Sequence, residues 1–191
     1  MTAIIILAAG ESSRLGRPKQ LLTFQGESLL RRSTRVALEA RCGPVIVVLG
    51  FAAQQMVPEL ENLPVQMVIN QDWKDGMASS LRAALRAVPK EADAALLMLC
   101  DQPGVDVDTL RKMNSRFEQG AAIVACSYRG VMGVPALFSR EFFGELNQLK
   151  GDRGARSVLH RHRAEMEVID CPGAALDIDT EAEYRQLIQD A

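Results

Sequence analysis

The feature that most limits what this chain can fold into is its first apolar run, Ala3–Ala9 (AIIILAA), in which polar residues never alternate with apolar ones. A continuous β-branched run of strand length reads as a parallel strand buried on both faces. Val45–Leu49 (VIVVL) reads the same way, and Val65–Ile69, Ala94–Leu99 (AALLML) and Ala121–Ala125 (AAIVA) are further candidates. Helical patterns fall between them at Ser28–Ala40, Ala52–Leu60, Ala78–Ala87 and Val107–Gln119. This order predicts an α/β domain of the three-layer, Rossmann-like kind, with a mostly parallel sheet and helices on both faces. A chain of 191 residues, 48% of them hydrophobic, suits a single domain over 1–191.

Ligands of such sheets bind beyond the carboxyl ends of the strands. The residues with chemistry to offer cluster there. The first connection reads Leu7-Ala8-Ala9-Gly10-Glu11-Ser12-Ser13-Arg14-Leu15-Gly16-Arg17-Pro18-Lys19. Small residues at 8–10 allow close backbone approach, and successive amides in such a loop form an anion-binding concavity. Arg14, Arg17 and Lys19 add cations, while Ser12 and Ser13 add hydroxyls. A triphosphate needs that combination. A lysine in this role supplies charge rather than packing, so its loss is expected to leave stability nearly unchanged. The spacing fits neither G-x-G-x-x-G nor G-x-x-x-x-G-K-[ST]. From the residues alone, a glycine-rich turn with a solvated basic edge stays open.

Two acidic segments follow. Asp101, in Leu99-Cys100-Asp101-Gln102-Pro103, sits at a strand end, where it either caps the next helix or holds a cation. Asp106 and Asp108 lie nearer the helix start and can do the capping. In Asp177-Ile178-Asp179-Thr180-Glu181, either Thr180 or Asp179 can cap the last helix, with Glu183 completing a capping box. Asp75-Gly76-Met77-Ala78-Ser79-Ser80 opens a helix with Asp75 as the expected cap, Gly76 permitting close approach and Ser79 or Ser80 free to hydrogen-bond. In Gly151-Asp152-Arg153-Gly154-Ala155-Arg156, helical spacing puts Arg156 and His160 on one face. That cluster suits a phosphate-bearing acceptor or a solvated basic helix. Tyr128–Phe138 is less regular and is read as an excursion or hairpin over the site.

The first loop resembles the signature L-A-A-G-x-S-x-R-x-G-x-P-K of the nucleotidyltransferases that include the molybdenum cofactor cytidylyltransferases, matching at Leu7, Ala8, Ala9, Gly10, Ser12, Arg14, Gly16, Pro18 and Lys19. The resemblance runs from Leu7 to about Tyr184. It implies a loop wrapped round the triphosphate of CTP, with Lys19, Arg14 and Asp101 as catalytic groups. Leu7, Ala8, Ala9, Gly10, Ser12, Gly76, Ser79 and Ser80 would bind nucleotide. It also implies Mg²⁺ held by Asp101 first and Asp179 second, Asp177 being the weaker choice. Asp152, Arg153 and Arg156 would contact a molybdopterin-type acceptor, and a recipient molybdoenzyme is a further implied partner. Ala8-Ala9 resembles the cytidylyl-transferring branch, where guanylyl-transferring relatives tend to carry Gly-Gly. One departure concerns the acceptor: Val134 stands where relatives usually carry a histidine before proline.

A net charge of −2 argues against a nucleic-acid partner. No run reaches the ~20 apolar residues that span a bilayer. The opening run lacks a basic flank. Cys42, Cys100, Cys126 and Cys171 form no C-x-x-C pair. The expectation is a cytoplasmic protein with reduced thiols. Three other readings compete: a guanylyl-transferring enzyme, a sugar-1-phosphate nucleotidyltransferase (usually a longer chain), and a non-catalytic nucleotide-binding module that delivers cofactor.

Overall fold

Residues 1–189 are described by a computed structural model. The elements run β1 (Thr2–Ala8), β2 (Thr23–Phe24), β3 (Glu27–Ser28), α1 (Leu29–Ala40), β4 (Val45–Leu49), α2 (Ala53–Met56), β5 (Gln66–Ile69), α3 (Met77–Ala87) and β6 (Ala94–Leu99). They continue with α4 (Val107–Glu118), β7 (Ile123–Tyr128), β8 (Val131–Ser139), α5 (Phe143–Asn147), α6 (Arg156–Arg161), β9 (Glu167–Asp170) and α7 (Glu181–Gln189). The runs richest in β-branched residues take the centre of the sheet. β1 pairs in parallel with β4 on one side and β6 on the other. The full order is β5-β4-β1-β6-β8-β7-β9. Among the described residues of this seven-stranded sheet only β8 runs against its neighbours, and β9 is parallel to β7; β2 and β3 form a separate antiparallel pair.

Period-two alternation along β1 feeds two cores. Ile4 and Ile6 pack with Leu30 and Val36 of α1, Met56 of α2, and Leu110 and Met113 of α4. Ala3 and Ile5 pack with Leu81 and Leu85 of α3, Leu146 of α5 and Val158 of α6. Helices therefore cover both faces. Each isoleucine fully buried this way contributes about 1.5–3 kcal/mol. Cys42, Cys100, Cys126 and Cys171 are free thiols. No described helix is long and apolar enough to cross a membrane.

Several local expectations change. The helix expected over Ala52–Leu60 is one α turn followed by a 3₁₀ turn, Val57–Leu60, because Pro58 has no N–H to continue the ladder. The strand expected at Ala121–Ala125 starts at Ile123 and runs on to Tyr128, since β8 and β9 pair with its later residues. Ser28 is a cap outside α1, accepting the Arg31 N–H at 3.1 Å. Tyr128–Phe138 is a hairpin, but its return strand β8 lies within the sheet between β6 and β7. Asp75 does not cap α3: Gly76 takes that position at φ +88°, and the Ala78 N–H donates to the distant Gly151 carbonyl at 3.0 Å.

Three contacts lock the C-terminal segment against the end of β6. The Ile178 N–H donates to the Asp101 carbonyl at 3.3 Å, and the Gln102 amide donates to the Ala174 carbonyl at 2.9 Å. Gly104 and Gly173 touch backbone to backbone, so a β-carbon on either would strike the other. Gly173→Ala is expected to lower stability by about 1–3 kcal/mol, the usual range for forcing a carbon into filled space. Thermal unfolding reads this as a lower Tm, and an unchanged Tm would show that the two segments are not locked.

Candidate active site

The site forms where the ends of β1 and β6 meet the segment before α7. Pro18 starts a 3₁₀ turn over Lys19–Leu21, which swings Lys19 back over the strand ends. Ser12, at φ +58°, accepts the Lys19 N–H on its hydroxyl at 3.1 Å. Gln20 is fully buried and donates to the carbonyls of Ala8 at 3.0 Å and Gly10 at 2.8 Å, which ties the loop to the end of β1. A β-carbon on Gly10 would meet no atom, so the loop leaves open space on that side.

Lys19 Nζ bridges two carboxylates, Asp101 Oδ2 and Asp179 Oδ1, the second at 2.9 Å. Burial alone would lower the lysine's pKa, but Asp101 and Asp179 outweigh it and hold the ammonium above its usual value. The Lys19 hydrogen bond lowers Asp179. Burial, and then the charge of Asp101, push the Asp177 carboxyl up to about 7. The expectation that Lys19 is dispensable for stability fails here. Its side chain is only 16% exposed and neutralises a buried carboxylate, and removing one partner of such a pair is strongly destabilising.

The capping reading of the Asp179 segment holds, with Thr180 as the cap. Glu183 accepts the Asp179 and Thr180 N–H groups at 3.0 and 2.8 Å, and Thr180 Oγ1 accepts the Glu183 N–H at 3.3 Å. The capping box takes backbone amides and Thr180, so the Asp179 carboxylate stays available for Lys19. Likewise Asp106 caps α4 through the Thr109 N–H at 2.7 Å, which leaves Asp101 for the site. Asp101, Asp177 and Asp179 each bring one oxygen within 4.8 Å of the others. Asp101 Oδ1 is buried without a partner. Three converging carboxylates, one of which also carries an orphaned oxygen, fit a divalent cation.

Two cavities adjoin at this point. The first, about 360 Å³, is lined by Leu7, Ala8, Ala9 and Gly10, by Lys19 and Asp101, and by Gly76 and Ser80 at the start of α3. The second, about 480 Å³, is lined by Arg153 and Arg156, with Gln102, Tyr128, Val134 and Asp177. Leu7, Met77, Leu99 and Asp152 border both. Four other candidates line neither cavity. Ser12 and Asp179 act through Lys19, Arg14 is exposed with its guanidinium 3.3 Å from Asp179, and Ser79 donates to the Asp72 and Gly76 carbonyls at 2.7 and 2.8 Å.

The close approach that Gly76 permits is to protein. A β-carbon there would strike the Gly151 backbone and Asp152, so the start of α3 is docked on the Gly151–Arg156 loop. Sequence reasoning missed Gln20 and Asn70; the Asn70 amide donates to Ser79 at 2.8 Å and Ser80 at 3.0 Å. Neither carries a pattern of its own. The one clue was position, Gln20 beside Lys19 and Asn70 just past a strand. Trp73, which lines the first cavity, and Tyr128, which lines the second, were also missed as site residues.

Comparisons with known proteins supply the family. The model of the MobA-like NTP transferase domain matches residues 4–166. The chain is 32% identical to the nicotine blue oxidoreductase of Paenarthrobacter nicotinovorans, over 96% of this chain and 95% of that one. It is 29% identical to the molybdenum cofactor cytidylyltransferase of Escherichia coli K12, over 96% and 95%. Rv0371c from Mycobacterium tuberculosis H37Rv, solved in complex with manganese, superposes with a TM-score of 0.84 at 33% identity, over 100% of this chain and 99% of that one. With that model matched over most of its length, the chain belongs to the family of the MobA-like NTP transferase domain, as a nucleotidyltransferase.

Proposed function

We propose that residues 1–191 act as one nucleotidyltransferase domain that moves CMP from CTP to the terminal phosphate of a molybdopterin-type acceptor, with Mg²⁺ as the divalent ion. The observation that carries this reading is the Lys19 bridge beside two adjoining cavities, one under the Gly10 loop and one walled by Arg153 and Arg156. The first would hold the nucleotide and the second the acceptor. An acceptor phosphate oxygen attacks the α-phosphorus of CTP, the bond from that phosphorus to the β-phosphate bridging oxygen breaks, and pyrophosphate leaves. The attacking oxygen is already ionised, so no side chain has to remove a proton. What the protein supplies is alignment and charge.

Lys19 and Arg14 carry positive charge to the phosphates. Ser80, Gly76 and the small residues Ala8 and Ala9 shape the space left for base and ribose. Asp101 and Asp179, joined by Asp177, would hold Mg²⁺, which when bound offsets charge on the phosphate oxygens. Arg153 and Arg156 would take the acceptor's phosphate, and Val134 gives that cavity an apolar wall where relatives offer an imidazole. The deciding experiment is pyrophosphate release across a panel of nucleoside triphosphates, with and without molybdenum-loaded molybdopterin. No release with any of them would reduce the protein to a binding or delivery module.

Lys19→Ala is expected to cut turnover at least about a hundredfold, the scale of losing one preorganised charge at the reacting centre. It should also lower Tm, and near-normal turnover at saturating CTP would remove Lys19 from the mechanism. Arg156→Ala should raise the KM for the acceptor while leaving that for CTP nearly unchanged, because Arg156 lines only the second cavity. A matching rise in both would reject the division of the two cavities. CTP should exceed GTP in kcat/KM by about 5- to 150-fold, since the wrong base edge leaves one buried group unpaired. Equal or reversed values, measured with the same acceptor, would move the protein to the guanylyl-transferring branch.

A further inference from the structure

The bridge that assembles the site also occupies it. Asp101 and Asp179 are two of the three carboxylates placed to hold a divalent ion, and both already accept Lys19 Nζ. Arg14 adds a second cation on Asp179 at 3.3 Å. The Lys19 ammonium lies inside the cluster, since only 16% of its side chain is exposed. A hard metal needs oxygens of these same carboxylates at about 2.0–2.6 Å. It cannot take them while the ammonium stays in place, because like charges would sit a few ångströms apart where the surroundings screen them poorly. Lys19 has one other direction open to it: it also lines the first cavity, beneath the Gly10 loop.

We infer that Lys19 is the resident counter-cation of the carboxylate cluster, and that a triphosphate entering the first cavity draws Lys19 onto its phosphates and so opens Asp101 and Asp179 to the metal. The inference rests on the nucleotide site proposed above. Without nucleotide, the metal must compete with a charge that is already bonded in place. Without metal, a triphosphate that takes Lys19 strips Asp101 of its ion pair and leaves Asp179 only the contact with Arg14 among the described residues. Each ligand therefore raises the affinity for the other, by the same factor in both directions. In this scheme the lysine that serves catalysis lowers the affinity for metal alone, so removing it improves one property of the site while destroying another. A lysine present only to stabilise the carboxylates that ligate the metal predicts the opposite sign.

The test is Mn²⁺ binding by electron paramagnetic resonance, on the full chain and without nucleotide. Lys19→Met keeps an apolar stem of similar length and removes the charge. It should bind Mn²⁺ alone about tenfold or more tightly than the parent, a coupling of ordinary size. The gain should vanish when Asp101→Asn is added. A non-hydrolysable CTP analogue should tighten Mn²⁺ binding by the parent protein and barely change that of Lys19→Met. Thermal unfolding provides the folding check, and Mn²⁺ should raise Tm more in the variant than in the parent. Should Lys19→Met fail to fold even with Mn²⁺, Lys19→Gln takes its place in the same comparison. Equal or weaker Mn²⁺ binding by a folded charge-removed variant overturns the exchange and leaves the proposed reaction standing. Absence of pyrophosphate release with every triphosphate overturns the reaction and leaves the Mn²⁺ comparison intact.

Discussion

A single ammonium group joins three parts of the chain that are remote in sequence. Lys19 comes from the loop after β1, Asp101 from the end of β6, and Asp179 from the segment before α7. A carboxylate as buried as Asp101 needs a positive partner in place. Meeting that need fixes where the loop lies, and with it one wall of the first cavity. The supporting contacts serve the same end: Gln20 holds the loop to β1, Ser12 holds the Lys19 backbone, and the Gly104–Gly173 contact holds the C-terminal segment against β6.

The division into two cavities has a comparable cause. Gly76 and Gly151 approach more closely than any side chain would allow, and Met77 lies against Gly154. This docks the start of α3 on the Gly151–Arg156 loop and makes Met77 and Asp152 a shared border. Two segments that sequence reading assigned to separate substrates are thus one piece of structure.

How much was legible depended on whether the information was local. The central strands were readable because burial on both faces demands uninterrupted apolar residues, and Val45–Leu49 and Ala94–Leu99 match to the residue. The first loop was readable because small residues, cations and hydroxyls stand close together in sequence. The end of β7 was not, because residues 126–128 become strand only through pairing with β8 and β9. Asp177 ranked below Asp179 in the sequence because nothing local separates two aspartates two positions apart. In the structure it stands with the other two, and its burial and the charge of Asp101 raise its carboxyl to about 7.

By itself, the sequence determined the layer architecture, the small-residue, cation-rich loop after β1 and the acidic residues that follow β6 and precede α7. Each of these is written in periodicity, residue size or charge among near neighbours. Only the tertiary structure decided that β8 would enter the sheet between β6 and β7, that Gly76 would meet Gly151, and that Lys19 would rest on Asp101 and Asp179. Those outcomes join segments far apart along the chain. They depend on strand order and on which buried charge must be neutralised where, and no local pattern of residues records either.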